Sequence, residues 1–271
     1  MVRRLSDFPL PRSVVRSAAV RPSPVGGVAW LRITSAAVVF AIWRRPWRVF
    51  FASSAANRRL MVALGIVFAA MNYSFYNAID RLPLGTVAAI EFIGPIALAV
   101  NGARTLRNGV ALGSAIVGVV LLTDIRIAGE RAAFVWAFSN AALFALYIIL
   151  AHHIANADPA SSPIDRLGAS MLVAAIVIAP IGIVDARGTL GDPVALLAGI
   201  GVGITSSVIP YVFDQLAMAR LARSTYALFI ALLPATAVSI GVIVLAQIPQ
   251  AIEIAAVGLV IIGVAIHKEP A

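Results

Sequence analysis

The chain has 271 residues, 61% of them hydrophobic and 12% charged, with a formal net charge of +9 and no cysteine. Soluble domains run to about 25% charged residues, and one water-soluble core could not hide this much apolar side chain; the composition therefore leaves a polytopic membrane protein. With 20 Gly and 15 Pro the chain is not collagen-like, and the absence of Cys removes disulfide scaffolds, thiolate metal sites and thiol nucleophiles.

The 21 Lys and Arg then belong to loops and tails, where they face anionic headgroups and set orientation. Nucleic acid is not an expected partner, because no basic stretch interleaved with aromatics stands outside the apolar segments. Residues 1–24 carry Arg3, Arg4, Arg12, Arg16 and Arg21 among Pro9, Pro11, Pro22 and Pro24. No apolar run follows those charges, so the segment is not a secretory signal. Central Arg costs of about 2.5–3.5 kcal/mol each keep it from spanning a bilayer, and it reads as a basic, non-spanning tail. Beyond it, a membrane helix needs about 20 mostly apolar residues to cross about 30 Å of hydrocarbon. Nine runs fit, at about 25–42, 60–78, 83–100, 108–123, 134–152, 169–184, 194–212, 226–245 and 252–266. The connections between them are brief, so no soluble domain is inserted.

Two segments align at an offset of 139 residues: Ala78, Arg81, Leu82, Thr86, Ala88 and Pro95 match Ala217, Arg220, Leu221, Thr225, Ala227 and Pro234. The same shift carries the runs at 169–184, 194–212 and 252–266 onto the runs at 25–42, 60–78 and 108–123, and carries 134–152 onto the tail. The repeat unit is therefore expected to be five helices. Residues 25–123 hold four spans of the first copy and 132–268 hold five of the second, with the first helix of the first copy missing. An odd number of spans per unit makes the second copy enter from the opposite side. That is the inverted-repeat layout of secondary transporters, with the substrate site near midplane. The expected fold class is an all-α polytopic membrane protein of two inverted repeats and nine spans.

Charge bears on the orientation. The loops at 43–59, 101–107, 153–168 and 213–225, with the C-terminus, share one side and hold eleven Lys or Arg. The opposite loops hold four: Arg81, Arg126, Arg131 and Arg187. The positive-inside rule makes the first side, and the C-terminus, cytoplasmic. The five Arg of the tail would then lie outside, which leads to the expectation of a truncated or mis-started version of a ten-span protein.

Glu91 lies eight residues after Pro83 and nine before Val100, roughly 12–13 Å from either end of its run at 1.5 Å per residue. Ionisable groups at that depth are costly and usually functional. Glu91 fits a proton carrier or a partner for a substrate amine; the bland alternative is a protonated brace for the neighbouring Gly94-Pro95 break. Pro95 cannot donate to the preceding turn, and free carbonyls at membrane depth are tolerated where they line a cavity or are buried in protein. Pro234 repeats this feature at the matching place, and Pro210 is expected to break its helix near the end. Arg32, seven residues into its run, either pairs with Glu91 or a substrate carboxylate, or snorkels to the near interface.

Asn72, Tyr73, Tyr76 and Asn77 are expected on one helix face, as pocket lining or as an aromatic belt. Asn140 and Tyr147, seven apart, could line the cavity from the second half. Thr205, Ser206, Ser207 and Tyr211 could do so too, or could bond between helices. Gly109-x-x-x-Gly113 and Gly199-x-x-x-Gly203 read as close helix-packing sites. His152, His153 and His267 sit at span ends without metal-ligand spacing. No ATP-binding G-x-x-x-x-G-K-[ST] loop is present, so energy would come from an ion gradient or the substrate's own.

The stretch MNYSFYNAIDRLPLGTVAAIEFIGPIALAV at 71–100, ALYIIL at 145–150, and Ser207, Pro210, Tyr211, Asp214, Ala217, Arg220 and Leu221 resemble the EamA family of the drug/metabolite transporter superfamily. Within it they resemble the threonine/homoserine exporter branch, over about residues 25–268. The sequence departs from the usual pattern at Leu233, before Pro234, and at Ala246-Gln247. The resemblance implies an amino-acid exporter of the bacterial inner membrane rather than an enzyme. The expected function is a secondary transporter for small amino acids or related metabolites, proton-coupled at Glu91 and working by alternating access. Cargo of another kind, such as a drug, or a non-transporting membrane protein are the alternatives. No cofactor and no metal are expected; the partners are a small-molecule substrate and the lipid bilayer, with a homodimer left open.

Overall fold

The computed structural model describes residues 25–82, 87, 90–100, 105–122, 131–157, 161–230 and 251–266. Expectations for the tail 1–24, Pro83, Thr86, Ala88, Arg104, Arg126, Leu233, Pro234, Ala246-Gln247, His267 and Lys268 lie outside them. All regular structure among the described residues is helical. The order is α1 (Val25–Arg44), α2 (Trp47–Ala52), α3 (Ala55–Ile79), α4 (Ile93–Val100), α5 (Leu106–Leu122) and α6 (Arg131–Asn156), then α7 (Pro163–Leu190) and α8 (Pro193–Gly203). A π-helical turn at Ile204–Val208 leads into α9 (Ile209–Met218), followed by α10 (Arg223–Ile230) and α11 (Ala251–Ile266).

Five stretches among the described residues are long and apolar enough to cross a membrane: Val25–Arg44, Ala55–Ile79, Arg131–Asn156, Pro163–Arg187 and Leu196–Met218. They correspond to the runs expected at 25–42, 60–78, 134–152, 169–184 and 194–212. Most extend past the apolar limits because polar residues continue the helix: Asn57 to Arg59 in α3, Asp165 and Arg166 in α7, Asp214 and Gln215 in α9. Backbone hydrogen bonds do not stop where hydropathy does. The other four expected runs are represented by the shorter α4, α5, α10 and α11, and the greater part of 226–245 lies outside the described residues.

The chain ends its helices by familiar means. Ser54 caps α3, its hydroxyl accepting from the Asn57 N–H at 3.3 Å. Pro163 and Pro193 open α7 and α8, where a missing N–H costs nothing. After α1, Arg45 takes the left-handed conformation (φ 49°) and Pro46 follows, so the helix cannot continue.

Helix α1 lies antiparallel along α7 and is held at both ends by α7 carboxylates. The Asp185 Oδ2 accepts from the Gly26 N–H at 3.1 Å at the α1 N-terminus, and Asp165 Oδ1 accepts from Arg44 Nε at 2.5 Å at its C-terminus. An acid at a helix start and an Arg in its last turn both oppose the helix dipole. Between these clasps Trp30 lies on Gly182 where any Cβ would collide. Helix α3 packs on α1, α6 and α7 and places Met61, Leu64 and Phe68 fully inside the core.

Helix α5 pairs with α11, but not through the glycines that the G-x-x-x-G spacing pointed to. A Cβ on Gly109 or Gly113 would meet nothing within 4 Å, so these two face outward beside exposed Leu106 and Val110. The close approach is at Gly118, against Val260 and Ala256, and at Gly263, against Ala111 and Ala115. Helix rotation, which spacing alone does not fix, decides which small residues meet. The other motif fares better: Gly203 fits closely against Ser35 and the Arg32 carbonyl, with Gly199 in ordinary contact with Leu31.

Candidate functional site

Two helix irregularities position the polar side chains. The first is around Glu91, which ends a helical stretch; Phe92 forms a turn and α4 starts at Ile93. Pro95 sits in the first turn of α4, where its missing N–H is harmless to α4 but leaves the Glu91 carbonyl without an i+4 donor. Gly94 lets this break press on α6: an added Cβ would stand 2.7 Å from the Ala141 carbonyl oxygen and 3.2 Å from the Ala145 Cβ. Glu91 thereby comes alongside Asn140, one residue before that contact.

The second is the π-helical turn at Ile204–Val208. Pro210 does not break its helix near the end, as expected; α9 runs on to Met218. What Pro210 removes is the N–H that would have closed an α-helical bond to Ser206. The Ser206 carbonyl instead accepts from Arg32 Nη2 at 2.7 Å, and the Ser207 hydroxyl accepts from Arg32 Nε at 2.7 Å. Arg32 is therefore moored inside the bundle and does not snorkel. Two of its five N–H donors are engaged this way, and the Tyr76 and Tyr211 hydroxyls lie near the same guanidinium.

Arg32, Asn72, Glu91, Asn140 and Tyr211 line a cavity of about 200 Å³, closed by apolar Met71, Phe75 and Phe144. Glu91 faces Arg32 and the Asn140 amide, yet Glu91 and Arg32 do not form a direct ion pair; the Arg44–Asp165 pair is the salt bridge found among the described residues. Opposite charges thus stand across a gap instead of neutralising each other. Asn72 donates to its own helix, to the Phe68 carbonyl at 2.9 Å. Asn140 is completely buried, with its amide beside the Glu91 carboxyl.

The remaining candidates are placed elsewhere. Tyr73 packs edge-on against Trp136 at 5.7 Å, and Asn77 bonds back to the Tyr73 carbonyl, so the four polar residues of α3 do not share one face. Thr205 and Ser206 hydroxyls bond back to Gly201 and Val202 in their own helix. Tyr147 is 1% exposed and does not line the cavity; its hydroxyl donates to Asp214 Oδ2 at 2.9 Å, and its ring stacks on Phe144. Phe68, Tyr147 and Tyr211 form an aromatic layer with ring centroids 4.8–5.7 Å apart. Behind it Asp214 faces Tyr147 and Tyr226. Asp214, Met71, Phe75 and Phe144 were not expected as site residues from the sequence. An acid within an apolar helix was the available signal for Asp214; nothing distinguished the other three from ordinary apolar lining. Among the described residues there is no group of His, Asp and Glu able to hold a metal ion.

A bundle of apolar helices enclosing a small cavity with a moored cation and an opposed acid is the build of a multi-pass membrane protein that handles a small polar molecule. The chain belongs to the EamA-like transporter family, whose profile matches residues 131–267; it is a transporter, not an enzyme. It is 29% identical to the threonine/homoserine exporter RhtA of Escherichia coli (strain K12), over 87% of this chain and 79% of that protein. It is also 29% identical to the threonine/homoserine exporter RhtA of Salmonella typhimurium (strain LT2), over 90% of this chain and 83% of that protein. One solved crystal structure superposes with a TM-score of 0.63 over 94% of this chain and 90% of its own, at 15% identity, which shows a shared fold.

Proposed function

We propose that this protein exports small amino acids or closely related metabolites across the bacterial inner membrane by alternating access, with Glu91 as the proton-coupling group. The observation that carries the proposal is the unpaired opposition of Arg32 and Glu91 across the cavity. Two buried charges held apart are unfavourable unless something bridges them. A zwitterion does so: its carboxylate meets the guanidinium, which is suited to planar carboxylates, and its ammonium meets Glu91. The volume of about 200 Å³ falls below the roughly 300–1,000 Å³ usual for drug-sized ligands, which favours a small metabolite. The two exporters to which the chain is similar favour the same cargo class.

Coupling follows from the same carboxyl. A bare carboxylate makes reorientation through a dry core costly, whereas Glu91 carrying either a proton or the cargo ammonium presents no net charge. Proton and cargo then compete for the same oxygens, and one can be exchanged for the other. The wider architecture of the proposal is nine spans in two inverted repeats, with a cytoplasmic C-terminus. It draws support from packing: α1 on α7, α4 on α10 and α5 on α11 each join helices from runs related by the offset of 139 residues, and all three pairs are in contact. A pseudo-twofold axis between repeats brings related helices together in this way.

The test is Glu91→Gln, which preserves size and hydrogen bonding but not charge. Cells overproducing the wild type should resist toxic amino-acid analogues, and cells producing the variant at equal level should fall back to vector sensitivity. Undiminished resistance with Glu91→Gln would remove Glu91 from the mechanism; no resistance with the wild type would remove amino acids as the cargo.

A further inference from the structure

Asp214 is an inward-facing acid that the cargo site does not use. It stands on α9 one turn beyond Tyr211, on the far side of the aromatic layer of Phe68, Tyr147 and Tyr211, and Tyr211 of that layer lines the cavity. The helix ends at Met218, about 6 Å of rise further on. The groups facing Asp214 are phenols. Tyr147 of α6 donates to its Oδ2 at 2.9 Å, Tyr226 of α10 lies beside the carboxyl, and Tyr211 of α9 itself is close by. Helix α7 also packs on α9 but brings no ionisable group to Asp214. Other acids are offset by a cation or a helix start: Asp165 by Arg44, Asp185 and Asp192 by N–H groups opening α1 and α8, and Glu91 by the facing Arg32. Asp214 has no such offset among the described residues.

An ionisable group within an apolar stretch is costly and usually functional. Sealing the aromatic layer over a bare carboxylate buries a charge with no cation beside it, whereas sealing it over a carboxylic acid buries none. Phenol hydroxyls suit both forms, since they donate to a carboxylate and can accept from an acid. Alternating access requires this layer to part in one half of the cycle, which draws Tyr147 away from Asp214 and lets water reach the carboxyl from the nearby helix end. We infer that Asp214 is a second proton-binding residue of the transport cycle: its acid O–H gives a proton to water when α6 and α9 part, and the carboxylate takes one back from water before they close. The inference rests on the alternating-access reading above and adds a site that exchanges protons on one face of the membrane, apart from the cargo carboxyl. Rising pH then favours the parted state, because it removes the form that can be sealed.

The experiment uses the full chain in detergent, without cargo. Ala151 lies on α6 one turn beyond Tyr147, is 0% exposed, and its carbonyl accepts from the Gln215 amide of α9 at 3.5 Å. As the chain has no cysteine, Ala151→Cys makes a unique thiol that a maleimide reaches when α6 and α9 part. Labelling rates are compared at each pH between the Asp214 and Asp214→Asn backgrounds, so that titration of the thiol and of Glu91 cancels in the ratio. One proton can shift an equilibrium by up to about tenfold per pH unit, and the ratio should rise at least about threefold between about pH 5 and about pH 8. Asp214→Glu, which keeps a carboxyl, should follow the wild type; following the Asn variant instead overturns the inference. A ratio flat in pH makes Asp214 a brace and overturns it, as does a thiol unreactive at every pH. Should the Asn variant not accumulate, Asp214→Ser supplies the uncharged side chain and is read the same way. Because no cargo is present, failure here leaves the amino-acid cargo and the role of Glu91 standing, and those are decided separately by the resistance assay.

Discussion

Pro210 shows how one residue far from an ionisable group can hold it in place. Its lack of an N–H leaves the Ser206 carbonyl available, and Arg32 takes it together with the Ser207 hydroxyl. Replacing Pro210 with Ala restores the donor, allows the π-helical turn to relax to regular α-helix and makes the backbone compete with Arg32. Proline inside a helix costs about 3 kcal/mol, so Pro210→Ala should unfold in detergent at the same or a higher temperature than wild type. Transport should nevertheless fall several-fold. A thermal midpoint and an initial rate measured on the same preparation check both halves, and an unchanged rate would mean that the mooring of Arg32 is immaterial. Much of the site was legible at this scale, since Arg32, Asn72, Glu91, Asn140 and Tyr211 are polar residues within apolar runs, and such residues seldom face lipid. Tyr147 and Tyr73 carried the same signal, yet one is part of the aromatic layer and turns its hydroxyl to Asp214, away from the cavity, and the other packs on Trp136. Composition says that a residue turns inward; only the rotation of its helix says toward what.

At the scale of elements, the cavity depends on how closely the break between Glu91 and α4 approaches α6. Gly94 sets that distance, because its virtual Cβ meets the Ala141 carbonyl, a backbone atom with little room to yield. Gly94→Ala should push α4 and α6 apart by a few tenths of an ångström. Overpacking of this kind costs about 1–3 kcal/mol, and a lowered thermal midpoint in detergent would register it. Cargo binding should weaken in parallel, since Glu91 moves with the break; binding at full strength in a destabilised variant would detach the site from the α4–α6 contact. The break itself was readable from Gly94-Pro95, whereas Pro210 marked an irregularity without showing that it is a π-helical turn. Its residues, Ile204 to Val208, are ordinary helix formers in a membrane, and the extra residue becomes visible only once Arg32 is seen reaching the freed carbonyl. The glycine motifs divide for a related reason. Gly203 meets α1 at Ser35, while Gly109 and Gly113 turn outward and leave Gly118 and Gly263 to join α5 to α11.

For the whole molecule, the decisive question is whether the two halves run in opposite senses through the bilayer. Charge argues that they do: the segment 43–59 carries Arg44, Arg45, Arg48, Arg58 and Arg59, while the matching segment 182–198, around the end of α7 and the start of α8, carries Arg187 alone among Lys and Arg. A segment rich in Arg is retained on the cytoplasmic side and a segment with one Arg is free to cross. Ala52 and Gly191 are separated by 139 residues, both are exposed, and each lies at a helix end outside the apolar core. Inverted repeats require these two equivalent positions to face opposite compartments; parallel repeats would put them on the same side. Because the chain contains no cysteine, Ala52→Cys and Gly191→Cys each create a unique thiol without further engineering. A membrane-impermeant maleimide added to intact cells should label Gly191→Cys at once and Ala52→Cys only after the membrane is opened. Labelling of both in intact cells, or of neither, would rule out the inversion and with it the placing of the cargo site between two oppositely oriented halves, whereas labelling in the reverse order would keep the inversion and overturn the assignment of the C-terminus to the cytoplasm.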